Sequence, residues 1–105
     1  MVIIKFWRFS NNVYVGEGLK LKNAFWDLLN CFPDFFEKCA SFEYDELKNA
    51  VECGYLVEED EDYFDFSEED EEGNLKYYSY TEEGVKELLF RAKDRNNYDY
   101  EIIKI

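Results

Sequence analysis

At 105 residues, with 47% hydrophobic and 20% aromatic side chains, the chain has material for one modest core and is too apolar for a disordered acidic tail. Its formal charge of −13 exceeds what solubility needs and opposes folding through self-repulsion. That charge argues against direct binding to DNA, RNA or anionic lipid, which is driven by Lys and Arg releasing counterions, and it favours a basic protein surface as partner.

Val2–Phe9 (VIIKFWRF) is rich in β-branched and aromatic residues and predicts a strand. Ser10-Asn11-Asn12 is a turn signal, and Val13-Tyr14-Val15 predicts a short return strand ended by Gly16 and Gly18, giving an N-terminal β-hairpin. Leu21, Ala24, Phe25, Leu28, Leu29 and Phe32 recur at helical spacing, so a helix is expected from about Lys20 to Cys31. Pro33 cannot continue that helix but suits the first turn of another, predicted over Asp34–Ala40 with Phe35, Phe36 and Cys39 available to the core.

Ser41 is a candidate N-cap for a third helix, on which Tyr44, Leu47, Ala50 and Val51 make an apolar stripe. Gly54 stands where a left-handed residue would close that helix, and Tyr55-Leu56-Val57 predicts a strand. After the segment Val57–Asn74, with its Gly73-Asn74 turn signal, Leu75–Tyr80 (LKYYSY) alternates as a strand. Thr81 then caps a long helix over about Glu82–Arg95, with Glu82 and Glu83 in its first turn and Val85, Leu88, Leu89 and Ala92 on its apolar face. Tyr100–Ile105 predicts a final short strand. The expected fold class is α+β: one small domain over residues 1–105, with Leu28, Leu47, Val51, Leu56, Val85, Leu88 and Leu89 buried.

The charge is not spread evenly. Val57–Asn74 (VEEDEDYFDFSEEDEEGN) carries eleven carboxylates and no Lys or Arg, while Met1–Lys22 is +3, Asn23–Leu56 is −5 and Leu75–Ile105 is neutral. Tyr63, Phe64 and Phe66 lie within this acidic run. A solvated loop pinned to the core by its aromatic residues would also account for the segment; three rings so close together leave at least one facing solvent. Trp7 and Trp26 fit a core role. Tyr77, Tyr78 and Tyr80 fit one strand face plus a ring on the other, and Tyr98 and Tyr100 fit strand alternation or an extension of the acidic-aromatic surface.

Chemistry-bearing motifs are missing. The chain has no histidine, which removes Ser-His-Asp and Cys-His catalysis and histidine-held metals. It has no glycine-rich phosphate loop. Cys31, Cys39 and Cys53 are odd in number and form no CxxC pair, so reduced thiols are expected rather than disulfides or zinc. Asp60-Glu61-Asp62 and Asp70-Glu71-Glu72-Gly73 lack the ligand spacing of a calcium loop. With twenty-five carboxylates, a close pair is guaranteed by number and does not argue for acid–base catalysis. A non-catalytic protein without cofactor or metal is expected. MVIIKFWRF lacks the apolar core of a signal peptide and no apolar run reaches membrane-span length, so the expected location is the cytoplasm, that of the host if the protein is phage-encoded.

Asp45-Glu46-Leu47-Lys48-Asn49-Ala50-Val51-Glu52-Cys53-Gly54-Tyr55-Leu56 resembles the recognition helix and first wing strand of PadR-like and MarR-like winged helix-turn-helix regulators. Tyr78-Ser79-Tyr80-Thr81-Glu82-Glu83-Gly84 resembles their second wing strand and the start of the following helix. The resemblance covers roughly Lys20–Arg95. It implies a winged-helix-like fold of three helices, an acidic two-stranded wing and a long C-terminal helix. DNA-reading members are basic on the recognition helix and wing. Here the helix presents Asp45, Asn49 and Glu52, and the wing is the acidic run itself, so both elements would repel phosphate.

Closely spaced carboxylates with exposed rings resemble a phosphate backbone with its bases, which a basic nucleic-acid groove would accept. In size, charge and lack of catalytic groups the chain is similar to phage-encoded inhibitors, including DNA mimics and anti-CRISPR proteins. It is similar in the same respects to immunity proteins that neutralise a nuclease toxin. The expected function is an acidic inhibitor occupying a basic surface of a nuclease or nucleic-acid-binding complex. An immunity protein and a winged-helix regulator acting through protein contacts are the alternatives. The candidate contact residues are Glu58, Glu59, Asp60, Glu61, Asp62, Tyr63, Phe64, Asp65, Phe66, Glu68, Glu69, Asp70, Glu71 and Glu72, with Asp45, Asn49 and Glu52 from the helix. Monomer and dimer remain open.

Overall fold

Central strand β1 (Val2–Arg8) is flanked by β2 (Asn12–Gly18) and β6 (Asp99–Lys104), both antiparallel to it, in a computed structural model that describes residues 1–8, 12–31, 42 and 46–105. The remaining elements are α1 (Leu21–Cys31), α2 (Leu47–Glu52), β3 (Leu56–Glu58), β4 (Phe66–Glu69), β5 (Leu75–Tyr80) and α3 (Glu82–Asn96). The fold is α+β. It divides into two units, Met1–Ser41 with Val85–Ile105, and Phe42–Gly84. The predicted helix over Asp34–Ala40, the Ser10-Asn11 turn residues, the Ser41 cap and Tyr44 lie outside the described residues. No helix among the described residues is long and apolar enough to cross a membrane.

In the first unit, strand alternation puts Val2, Ile4 and Phe6 on the buried face of β1 and leaves Lys5 exposed. Helix α1 buries Leu21, Ala24, Phe25 and Leu28 of the expected stripe; Leu29 is half-buried and Phe32 lies outside the described residues. β2 runs further than the predicted Val13–Val15, through both glycines. The reason is contact with α1: a Cβ on Gly16 would stand 2.3 Å from the Ala24 carbonyl oxygen and 2.7 Å from the Leu28 nitrogen. Both glycines let the helix backbone approach the strand; Gly16 lies inside it, and Gly18 is its last residue. The expected hairpin is therefore two strands of a three-stranded sheet. The Phe6 and Tyr98 rings stack at 4.7 Å, with the Arg8 guanidinium 5.7 Å from the Tyr98 centroid. Val85, Leu88, Leu89 and Ala92 of α3 are fully buried. Asn97, in the left-handed region at φ 58°, ends α3 and turns the chain into β6. Trp7 and Trp26 are half-buried.

In the second unit the sheet order is β3-β5-β4, all antiparallel. Gly54, at φ 81°, closes α2, and the Tyr55 amide donates to the Ala50 carbonyl at 2.8 Å. Tyr55 is spent on this turn, so the strand begins at Leu56. Thr81 caps α3 as expected: the Gly84 amide donates to its hydroxyl at 3.1 Å, and the hydroxyl donates to the Gly54 carbonyl. Leu47 and Leu56 are buried as predicted, but Val51 is only half-buried, because it lines a groove described below.

The expected two-stranded wing is corrected here. The acidic run contains a strand of its own, β4, making the sheet three-stranded. Glutamate is a poor strand former, and pairing with β5 overrides that preference.

Leu88→Ala should cost about 2–5 kcal/mol through cavity formation. Gly16→Ala should cost about 1–3 kcal/mol or more, because helix backbone cannot give way. At Gly54 a Cβ would meet nothing within 4 Å. There alanine should cost only the left-handed backbone penalty of about 1–2 kcal/mol. Urea titrations followed by circular dichroism would rank the three variants.

Candidate protein-binding surface

The acidity belongs to one unit. Phe42–Gly84 holds seventeen of the twenty-five carboxylates against two lysines, a net −15, while the rest of the chain is +2. What matters is how the β3-β5-β4 sheet displays those carboxylates on its two faces.

The register sets the first face. Leu56 is opposite Tyr80, Glu58 and Phe66 are both opposite Tyr78, and Glu68 is opposite Lys76. These residues share the side facing α2. Leu56 and Tyr78 are buried there, and the Phe66 ring packs 5.7 Å from Tyr78 and 5.3 Å from Tyr80. Between this face and α2 lies a groove of about 540 Å³. Its apolar part is Leu47, Val51 and Tyr78, and its charged rim is Glu52, Glu58, Glu68, Asp70 and Glu71 with Lys48 and Lys76.

The second face carries Val57, Ser67, Glu69, Leu75, Tyr77 and Ser79 by strand alternation. The segment linking β3 and β4 folds back over it. The Ser79 hydroxyl donates to the Tyr63 carbonyl at 3.1 Å and is sealed from solvent. The Phe64 ring lies 4.7 Å from Tyr77. The Glu59 amide donates to the Tyr77 carbonyl at 3.0 Å, the Asp65 amide to the Tyr78 carbonyl at 2.9 Å, and the Tyr63 amide to the Asp60 carbonyl at 3.0 Å. Tyr63 itself points outward and is 73% exposed.

Two carboxylates of the run serve the fold. Asp65 accepts the Tyr80 amide at 3.0 Å, ending the β5 ladder. Asp70 Oδ1 accepts the amides of Glu72 at 3.0 Å and Asn74 at 2.8 Å, shaping the β4–β5 turn in which Gly73 has φ 84°. Burial, with the Asp65 charge adding to it, pushes the Tyr80 hydroxyl up to about 12. Among the described residues no three acidic or cysteine side chains converge on a site able to hold a metal ion.

The sequence-predicted residues therefore divide. Glu58, Glu68, Asp70 and Glu71 meet Glu52 around the groove. Glu59–Asp62, Tyr63, Glu69 and Glu72 are exposed, and Phe64 is partly so. Asp65 and Phe66 are half-buried and structural. Asn49 is exposed on α2 but does not line the groove, and Asp45 lies outside the described residues. Leu75, Tyr77 and Val57, which are central to the second face, were not among the expected contacts. The alternation of LKYYSY, which puts Leu75 and Tyr77 on one side, was the available signal.

Comparison with known proteins finds no matching family model, no matching curated protein and no matching solved structure.

Because the Tyr80 hydroxyl is held neutral in the folded state, its contribution is intact below pH 10 and is lost as the pH rises from 10 through about 12. Two pH units correspond to at most about 2–3 kcal/mol. Chemical denaturation across that range should show a steeper loss of stability for the native chain than for Tyr80→Phe, by up to one proton.

Proposed function

We propose that this protein is a non-catalytic inhibitor whose acidic unit occupies a basic, nucleic-acid-binding surface of a nuclease or related complex. The observation that carries this reading is the ordered display of the acidic run. Glu58, Glu68 and Glu69 lie on strands of the hydrogen-bonded sheet, and the segment and turn that carry the other eight carboxylates are tied to it or closed by hydrogen bonds. Consecutive residues about 3.8 Å apart along the chain put neighbouring carboxylates of the run within about one Debye length, about 8 Å at physiological salt. Such charges act together as one field, as phosphates do.

We also propose the winged-helix likeness for the path α2–β3–β5–α3. The Gly54 helix stop, the antiparallel β3–β5 pair and the Thr81 cap support it. Strand β4 is an addition to that plan.

The isolated protein should not bind duplex DNA measurably at physiological salt, as a mobility-shift titration would show; micromolar binding would restore a DNA-reading regulator. For a partner captured at low salt, replacing Glu58, Glu59, Asp60, Glu61 and Asp62 together with Ser or Asn should slow association and weaken binding. Any one replacement should cost well under ~1 kcal/mol. Raising salt from about 0.1 to 0.5 M should imitate the five-fold variant. Affinity independent of both salt and these substitutions would remove the acidic surface from the mechanism.

A further inference from the structure

We propose that the outer face of the β3-β5-β4 sheet, and not the groove against α2, is where a basic partner protein docks, with Leu75, Tyr77, Phe64 and Val57 at the centre of the contact. This rests on the reading that the acidic unit binds a basic protein, and it names the face and the chemistry of what sits there.

The first ground is an apolar patch in an acidic setting. Leu75 is 58% exposed, Val57 43% and Phe64 41%, with Tyr63 standing clear beside them. The register puts Val57, Tyr77 and Leu75 along one side of the sheet. Leu75 and Tyr77 are adjacent on one side of β5, Phe64 lies on Tyr77, and Val57 is opposite Ser79 on the same side. An exposed apolar cluster rimmed by charge is the usual anatomy of a contact surface, in which the rim keeps water from the centre.

Charge distribution is the second ground. Both lysines of the unit, Lys48 and Lys76, line the groove and offset part of its acidity. The outer face has Glu69 on β4, Glu59 just past the end of β3, and Asp60, Glu61 and Asp62 in the segment folded over it, and no lysine. Charge complementarity therefore points outward. It also selects the occupant. A second copy of this face would bring like charges together, which opposes pairing. The occupant that fits is a protein surface with an aliphatic or aromatic centre ringed by Arg and Lys. Arginine suits it best, since a guanidinium can stack on Tyr63 or Tyr77 while pairing with a neighbouring carboxylate.

Two synthetic peptides of equal length and charge test this. One alternates arginine with leucine and tryptophan; the other alternates arginine with glycine and serine. Each is titrated into the full isotope-labelled chain at low salt, and backbone amide shifts are followed. The apolar peptide should bind about tenfold tighter. Its shifts should cluster on Val57, Phe64, Leu75 and Tyr77, and Val57→Thr with Leu75→Ser should erase the difference. Both substitutions are at exposed positions, and Leu75→Ser alone serves if the pair unfolds. Equal binding of the two peptides, or shifts centred on Leu47, Lys48 and Val51, would overturn the outer-face assignment while leaving the basic-partner reading standing. Failure of both peptides to bind would overturn both. Self-association in sedimentation that Leu75→Ser abolishes would replace the basic partner with a second copy.

Discussion

β5 is what organises the acidic run: it pairs with the strands at both ends of the linking segment and receives two of that segment's amides. Two carboxylates about 7 Å apart repel by roughly 0.6 kcal/mol in water before salt screening, and the acidic run contains many such pairs. Against this, β5 pairs with β3 on one edge and β4 on the other, and its carbonyls also receive the Glu59 and Asp65 amides. Its aromatic side chains work on both faces: Tyr78 and Tyr80 against Phe66, and Tyr77 against Phe64. Ring pairs contribute about 0.5–1.5 kcal/mol each beyond their area, the same order as the repulsions they oppose. An uncharged strand of small residues in this place could not hold the segment flat.

The two faces of that sheet divide the work. Towards α2, Glu68 stands opposite Lys76, an arrangement worth about 0.2–1 kcal/mol across a strand pair, and Lys48 adds a second positive charge to the groove. That side offsets its own charge and buries Leu56 and Tyr78. The other side does neither. It leaves apolar side chains in water and surrounds them with carboxylates, which is costly for a surface with no partner and useful for one that has a basic partner.

Much of the architecture was legible in local pattern. The 3.6-residue spacing of Leu21, Ala24, Phe25 and Leu28 marked α1, and Thr81 with Glu82 and Glu83 marked the start of α3. Gly54 marked the end of α2 because its left-handed backbone has a purely local cause. The misses were non-local. Gly16 looks like a strand end until Ala24 and Leu28 are seen beside it, and nothing in the residues around it announces that approach. β4 is a strand only because β5 lies next to it; Ser67, Glu68 and Glu69 alone give no such signal. For the site, composition located the acidic run but not its sidedness. Which carboxylates share a face depends on the register of Glu58, Tyr78 and Glu68, and register is a property of the paired strands.

Sidedness also changes what the charge count means. Asp65 has an oxygen committed to the Tyr80 amide, and Asp70 has one committed to the amides of Glu72 and Asn74. Neither presents a whole carboxylate to a partner. In exchange Asp65 ties the linking segment to the end of β5 and Asp70 shapes the β4–β5 turn. A mobile acidic tail would offer all eleven charges but lose conformational freedom on binding, at about 0.5–1.5 kcal/mol per immobilised side chain plus the backbone. Here that ordering is completed during folding, by backbone hydrogen bonds and ring contacts that need no partner. A rigid array of fewer available charges can therefore outcompete a flexible array of more. In the proposed recognition surface, the internal bonds of Asp65 and Asp70 count as much as the exposed carboxylates of Glu59–Asp62.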